Sequence, residues 1–237
     1  MARLLKFLFL VIFAVGLAGA LFVFWYLRGS SSDSNSYIRE WLIAPIMRPL
    51  LSNEGGVACE GAPFILPSSG LVGLLWADPA RPYNPLRPHP GLDIFGDGEP
   101  GTVPNYAVYD GYLTRSTNWK SAVIIRHDDP LQPGRTIWTY YTHMANESGS
   151  EVYIVDDFPP GTSNKFVEQG TILGYQGTYS GTGPPIAMHL HFSIVPSDSS
   201  GAYLNEAVFA NTLDPSPYFG MSLNIGEAPE RPIDCSS

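Results

Sequence analysis

Short runs rich in apolar residues follow one another from Pro63 onward, separated by turn signals such as Asp110-Gly111 and Pro133-Gly134. Two connecting segments, Ala145–Lys165 and Ser197–Thr212, are long for loops, and connections of that length often form the rim of a functional site. The pattern predicts β-strands at Leu71–Trp76, Tyr106–Leu113, Ala122–Arg126, Thr136–Met144, Ile172–Gln176 and Met188–Val195. We therefore expect a compact, mostly antiparallel β-sheet domain.

A different pattern precedes this domain. Phe7–Leu27 is an uninterrupted run of uncharged, mostly apolar residues, and a helix of that length spans roughly 31 Å, about the hydrocarbon thickness of a bilayer. The run is long for a cleaved signal peptide, which favours an uncleaved transmembrane helix, although Ala18-Gly19-Ala20 offers a cleavage site. Arg3 and Lys6 lie on its N-terminal side, which predicts that this side stays in the cytoplasm and that the remainder is exported.

The segments around the β domain follow from the same pattern. Ser30–Ser36 is polar and predicts a linker, and Tyr37–Leu51 predicts a short helix that Pro45 and Pro49 break. The predicted organisation is a membrane anchor or uncleaved signal over 1–28, a linker and N-terminal extension over 29–62, the β domain over 63–219 and a C-terminal tail over 220–237.

The composition agrees with one β domain and excludes one class of partner. Apolar residues form 44% of the 237 positions, which is enough to bury a core, and 24 glycines with 22 prolines argue against a helix bundle. The net charge is −9, and it becomes −12 when residues 1–28 are set aside. Such an acidic surface excludes a generic grip on nucleic-acid phosphates.

The two cysteines, Cys59 and Cys235, lie near opposite ends of the exported part. An oxidising compartment favours a disulfide between them, and the stabilisation that a disulfide provides increases with the length of the loop it closes. We therefore expect Cys59 and Cys235 to pair.

Two histidines stand two positions apart in the predicted strand Met188–Val195. Side chains on a strand alternate between its faces, so Leu190 and Phe192 point into a core while His189 and His191 share the other face, with Cα atoms about 6.6 Å apart. This arrangement suits a metal ligand beside a catalytic group, and paired surface histidines are the alternative.

A histidine and an aspartate occur close together in the segment 87–94. On a straight strand His89 and Asp93 would lie about 13 Å apart, too far to share an ion. Pro88 and Pro90 make a helix improbable, so a bend at Gly91 is the conformation that remains. The bend would bring the two side chains together as half of a zinc site.

The remaining histidines have different contexts. On a strand, Tyr141 and His143 share a face, which predicts a polar pair aimed at the same pocket. His127 precedes a turn, and we expect it to form local hydrogen bonds outside the site.

Three motifs occur in order along the chain: HPGLD at 89–93, YTHM at 141–144 and HLHF at 189–192. Together they resemble the H-x-G-x-D, Y-x-H-L/M and H-x-H motifs of the lysostaphin-type (M23, LytM-like) zinc metallopeptidases. The resemblance covers residues 63–219 and implies the family's antiparallel β domain. It also implies a residue assignment, in which one Zn²⁺ per chain is bound by His89, Asp93 and His191, the proton and the oxyanion are handled by His143 and His189, and the transition state is steadied by Tyr83.

The function that this resemblance implies is an extracytoplasmic zinc metalloendopeptidase that cleaves peptide cross-links of peptidoglycan by metal-activated water. The predicted span would hold it in the cell membrane as a single-pass protein, or the protein would be secreted if the leader is cleaved. Two alternatives stay open. One is a non-catalytic member of the family that acts as an activator or cell-wall-binding module. The other is an iron oxygenase, because two histidines and a carboxylate also form that triad of ligands.

Overall fold

The computed structural model describes residues 11–23, 33–181 and 183–236. Its strands, numbered in chain order, are β1 Leu71–Leu74, β2 Leu92–Phe95, β3 Pro104–Tyr106, β4 Gly111–Thr114, β5 Val123–Asp128, β6 Thr136–Thr142, β7 Lys165–Val167, β8 Ile172–Tyr175 and β9 Leu190–Pro196. Seven of them form one sheet in the order β1-β2-β9-β6-β5-β4-β7, β3 and β8 form a second, and all neighbouring pairs are antiparallel. The prediction of a mostly antiparallel β domain is confirmed.

Side chains along the central strands alternate between the hydrophobic core and the opposite face of the large sheet. Leu92 in β2 and Phe192 in β9 are fully buried in the main hydrophobic core. Their sequence neighbours Asp93 and His191 extend from the opposite face, where their side chains contact each other. The large sheet therefore carries the candidate site on the face that is turned away from its core.

Three details of the strand prediction differ from the structure, and the first is that β7, Lys165–Val167, is not predicted. The predicted strand Tyr106–Leu113 is two strands, because β3 pairs with β8 in the small sheet and the chain then turns to join the large sheet as β4. The bend expected between His89 and Asp93 leads directly into β2, a strand that the pattern does not predict.

Helices are short and lie around the sheets. Residues 11–23 are helical, and the remaining helical segments that the structure describes are Asp33–Ile43, Pro45–Met47 (3₁₀), Arg48–Leu51, Phe209–Asn211 (3₁₀), Ser216–Phe219 and Ile225–Glu227 (3₁₀). The first break falls where Pro45 predicts it, whereas Pro49 lies in the first turn of a short helix, where proline is tolerated.

The N-terminal extension packs against the edge of the large sheet. Trp41 is buried in a small apolar cluster with Leu71 and Phe95. Part of the stretch predicted as a linker, from residue 33 onward, is the first turn of a helix. The buried hydroxyl of Ser34 donates a hydrogen bond to Asp78, so a polar side chain in this turn has a partner inside the fold.

The C-terminal residues run back along the same sheet and are tied to the N-terminal extension. Cys59 and Cys235 form the predicted disulfide, with Cα atoms 5.6 Å apart. The Arg231 guanidinium donates hydrogen bonds to the carbonyl oxygens of Val72 and Gly73 in β1. These contacts fasten the C-terminal segment 220–236 against the edge strand β1.

The predicted membrane span Phe7–Leu27 lies partly outside the described residues, which include 11–23 of it. Among the helices that the structure describes, none is both long enough and apolar enough to cross a membrane. Membrane anchoring stays a prediction from the sequence.

Candidate metal centre

The backbone around His89 is fixed by a short ladder to the preceding turn. The His89 amide donates to the Asp78 carbonyl oxygen at 2.9 Å, and the Ala77 amide donates to the His89 carbonyl oxygen at 3.0 Å. The imidazole is fully buried, and its Nδ1 lies 3.0 Å from the carbonyl oxygen of Leu75. His89 is therefore oriented by the segment 75–78, which directly follows β1.

The bend after His89 depends on a close approach between two segments. A Cβ atom at Gly91 would overlap the carbonyl oxygen of Phe192 and lie 2.5 Å from the Ser193 hydroxyl. Only glycine lets the chain enter β2 this close to β9. The need here is for space and not for the left-handed conformation that glycine often supplies.

Strand register places the other two predicted ligands side by side. Asp93 in β2 is directly opposite His191 in β9, and His191 is opposite Thr142 in β6. The three strands are neighbours in the sheet, so motifs far apart in the sequence meet on one face.

Three ligand atoms converge at this place. His89 Nε2 lies 3.1 Å from Asp93 Oδ1 and 3.1 Å from His191 Nδ1, and the last two atoms are 2.8 Å apart. All three residues are buried, and among the residues that the structure describes they form the group of donors that could hold a metal ion.

The partners of the outer ring nitrogens indicate which atoms face the centre. The Leu75 carbonyl can only accept, so His89 carries its proton on Nδ1 and presents a lone pair at Nε2. Ser193 Oγ lies 3.0 Å from His191 Nε2 and can accept its proton, which leaves Nδ1 as an acceptor. Two lone pairs and a carboxylate oxygen then point at one another. A divalent cation fits this set, because it satisfies all three atoms.

The charge state of Asp93 agrees with a ligand role. Burial raises the pKa of this carboxyl, but its close contacts with His89, His189 and His191 act in the opposite direction and hold its pKa well below the usual range. Asp93 is therefore ionised at neutral pH and supplies the negative charge of the group.

Two further histidines stand beside this group. His189 Nε2 is 3.6 Å from Asp93 Oδ1, and the rings of His143 and His189 are 4.6 Å apart. Their Nδ1 atoms lie 2.7 Å from the carbonyl oxygens of Tyr179 and Ala187, respectively. Each Nδ1 therefore carries a proton, and each Nε2 is free to act as a base.

Burial keeps both of these imidazoles neutral. It lowers the pKa of His143 to about 3, with the nearby His189 and His191 adding to the effect, and it also lowers the pKa of His189. Each of them therefore presents a neutral ring with an unprotonated Nε2 beside the candidate ligands.

One expectation about this part of the site is wrong. Tyr141 and His143 do not share a pocket: Tyr141 is fully buried in the core, where its hydroxyl accepts a hydrogen bond from the Val108 amide. Strand β6 ends at Thr142, and His143 has a φ of 75°, so the alternation of faces stops one residue before it. The tyrosine of β6 that lies near the site is Tyr140, whose ring centroid is 6.2 Å from that of His191.

Tyr83 lies against the centre from the loop between β1 and β2. Its ring is 4.7 Å from the ring of His89, and burial with the negative charge of Asp93 raises its pKa. The hydroxyl therefore stays protonated and can donate a hydrogen bond.

A cavity of about 470 Å³ opens beside these residues. Its walls include Tyr83, Tyr140, His143, His191 and Glu206. The site thus combines a buried group of ligand atoms with a space that can admit part of a substrate.

Several of these residues are not found by sequence reasoning. Ser193 has the strand spacing that would place it on the face of His191, and this signal could have identified it. Tyr140 is recognisable only once the end of β6 is known, and Glu206 lies in a long connection whose path the sequence does not determine.

His127 lies outside the site, as expected. Its Nδ1 is 2.8 Å from the Asp110 carbonyl oxygen and its Nε2 is 2.8 Å from the Thr139 hydroxyl.

No family model and no curated protein matches this chain. Among solved structures it is similar to lysostaphin from Staphylococcus simulans, with 23% identity, 56% of this chain covered and a TM-score of 0.35. The solution structure of lysostaphin gives 22% identity, 56% coverage and a TM-score of 0.34. This chain spans 43% of the lysostaphin chain in both comparisons. A mutant catalytic domain of the prophage-encoded M23 protein EnpA from Enterococcus faecalis gives 20% identity over 52% of this chain and 78% of that chain, with a TM-score of 0.31. Lysostaphin and an M23 protein are thus among the solved structures to which this chain is similar.

Proposed function

We propose that this protein is a zinc metalloendopeptidase that acts outside the cytoplasm on peptide cross-links of peptidoglycan. The observation that carries the proposal is the convergence of His89 Nε2, Asp93 Oδ1 and His191 Nδ1, beside two further histidines with free Nε2 atoms. The substrate class follows from the resemblance of the three motifs, and the location follows from the predicted membrane span Phe7–Leu27.

His89, Asp93 and His191 would hold the ion. Two neutral imidazoles and one carboxylate leave a divalent ion with a net positive charge, which suits an oxyanion. A zinc ion with three protein ligands supplies a Lewis acid and an acidified bound water.

His143 and His189 would handle the proton. Each donates its Nδ1 proton to a backbone carbonyl oxygen, which fixes the ring and directs Nε2 toward the centre. A neutral base in this position can orient and deprotonate a water molecule and then return the proton to the leaving amine. The Tyr83 hydroxyl can donate a hydrogen bond to the oxyanion.

An experiment on the full chain in detergent tests the proposal. The protein is incubated with purified peptidoglycan, and the released fragments are identified by mass spectrometry with and without a chelator. We expect newly formed peptide termini that disappear with the chelator and return with Zn²⁺. Metal analysis of the purified protein then separates zinc from iron, and so separates the peptidase from an oxygenase.

A variant links the products to the site. His143→Ala should keep its zinc and release fragments at least about 100-fold more slowly, because a general base is lost. Fragments that form at an unchanged rate in this variant, or no fragments from the unmodified protein, would contradict the proposal. The second result would favour a non-catalytic wall-binding role.

A further inference from the structure

The cavity beside the metal centre contains a carboxylate that the proposed chemistry does not use. Glu206 lies in the connection 197–212 after β9 and lines the same cavity as His143 and His191. Of the cavity-lining residues in the part of the chain that the structure describes, it is the one with a carboxylate. The ion pairs found between described residues do not include it.

Aromatic side chains fix Glu206 and connect it to the centre. The Tyr203 hydroxyl donates to Glu206 Oε2 at 2.7 Å, and the rings of Tyr203 and Tyr140 are 6.3 Å apart. The Tyr140 ring in turn lies 6.2 Å from His191. The carboxylate is therefore oriented by a hydrogen bond to one oxygen, and the described residues give its second oxygen no side-chain partner.

The neighbouring phenols stay neutral in the field of this carboxylate. Burial and the charge of Glu206 raise the pKa of Tyr140 to about 12, and the same two causes act on Tyr203. Neutral phenols leave the negative charge to Glu206, and aromatic rings attract a cation to their faces. Phe209 adds a further ring to the same wall.

A single carboxylate surrounded by aromatic rings suits an ammonium group. The charge-assisted hydrogen bond to the carboxylate and the attraction of a cation to ring faces act together, whereas a metal ion would need more oxygen ligands. Arg87 and Lys120 also line the cavity, so its wall carries both signs of charge, and Glu206 is the place on that wall that attracts a cation.

We infer that Glu206 selects peptide substrates that carry a free ammonium group next to the bond that is cleaved. This inference rests on the proposed peptidase function and names its substrate class more narrowly. It makes the connection 197–212, which the motifs do not cover, a determinant of specificity.

The test compares two substrates that differ only at the amine. Soluble cross-linked muropeptides whose stem peptides carry a free side-chain amine are divided, and one half is N-acetylated with acetic anhydride. For the unmodified protein we expect kcat/KM to be about tenfold higher on the free amine, since acetylation leaves at most a hydrogen bond from a neutral amide in place of one between charged groups. The difference should appear mainly in KM, because Glu206 binds a group of the substrate that does not itself react.

Three variants assign the preference to its source. Glu206→Gln should reduce the ratio of the two kcat/KM values from about ten to about one, because the amide keeps the shape and loses the charge. Tyr203→Phe should give an intermediate ratio, because it removes only the hydrogen bond that orients the carboxylate. Glu168→Gln, at an exposed position away from the cavity, is the matched control and should behave as the unmodified protein.

The outcomes separate this inference from the function on which it rests. Cleavage without a preference for the free amine, or a preference that Glu206→Gln retains, would overturn the inference and leave the peptidase proposal standing. Absence of cleavage in both substrates would reject both. Thermal unfolding and zinc content of each variant show whether a changed ratio of kcat/KM values reflects altered recognition or damage to the fold. If Glu206→Gln does not fold, the ratio measured for Tyr203→Phe tests the inference instead.

Discussion

Two places in the large sheet bury histidines, and they use them in opposite ways. At His127 both ring nitrogens have protein partners, since Nδ1 donates to the Asp110 carbonyl oxygen and the Thr139 hydroxyl can donate to Nε2. Burial lowers the pKa of His127 to about 4, so the ring is neutral and its hydrogen bonds are complete. Nothing at this place calls for a ligand.

At the candidate metal centre, the protein supplies a hydrogen-bond partner only to the outer ring nitrogen of each ligand histidine. Leu75 and Ser193 engage the far nitrogens of His89 and His191, and the inner nitrogens face each other and Asp93. Burial is the same in both places, so burial of a histidine does not identify a site. What distinguishes the centre is that its lone pairs converge where the fold provides no donor.

The largest expected effect comes from removing the charge of the centre. Asp93→Ala should lose its zinc and with it all measurable cleavage, because two neutral imidazoles hold a divalent ion poorly. His127→Asn, which removes a buried histidine of the other kind, should keep one zinc per chain. Metal analysis after gel filtration measures the zinc content of both variants. Equal zinc content would show that the candidate metal centre and the His127 pocket do not differ in metal binding.

The next largest effect concerns the histidines beside the ligands. His189→Ala should retain zinc and reduce turnover about 10²–10⁴-fold, because a proton acceptor is lost while the ligands stay. If His143 and His189 act as one unit, the double variant should be little slower than the slower single variant. Rates that multiply across the two substitutions would indicate separate roles, and loss of zinc in His189→Ala would make this residue a ligand.

The sequence predicts the parts of the site that depend on strand alternation. His191 follows from the apolar residues on either side of it in β9, and its position opposite Asp93 follows once β2 and β9 pair. The bend at Gly91 is predictable in position, but its cause is the closeness of β9, which is a tertiary contact.

Other parts of the site could not be predicted from the sequence. His143 has a positive φ, and nothing in a run of β-branched and aromatic residues indicates that alternation ends before it. Glu206 reaches the cavity because a long connection folds back over the sheet. Sequence patterns predict strands and helices, but they do not predict the path of a long connection. The packing of residues 33–51 on β1 and β2 is missed for the same reason, because the apolar cluster around Trp41 exists only in the folded chain.

A smaller effect is expected on the free energy of unfolding of the protein, which should depend on pH through His127. The unfolded chain binds a proton at this histidine below about pH 6.5, and the folded chain binds it only below about pH 4. The unfolded state therefore holds more protons between these values, and stability falls by roughly 3 kcal/mol as the pH is lowered through this window. Denaturant unfolding with chelator present, at pH 7 and pH 4.5, should show a smaller decrease in His127→Asn than in the unmodified protein. An identical decrease in both proteins would mean that His127 does not titrate as described.

The smallest effect tests whether the outer half of the metal centre matters. Ser193 is buried and its hydroxyl is the partner of His191 Nε2, so Ser193→Ala leaves that ring without its outer hydrogen bond. We expect zinc affinity to fall about 10–100-fold with the ligands intact, because such partners fix the tautomer and orientation of a ligating imidazole. Ser68→Ala removes a buried hydroxyl that bonds to Pro104 instead, and it should leave zinc affinity unchanged. Competition with a chromophoric chelator measures both affinities. Equal zinc affinity in Ser193→Ala and the unmodified protein would show that the converging lone pairs suffice to hold the ion. The hydrogen-bond partner of the outer ring nitrogen, a feature that the His127 pocket also has, would then contribute little to zinc affinity.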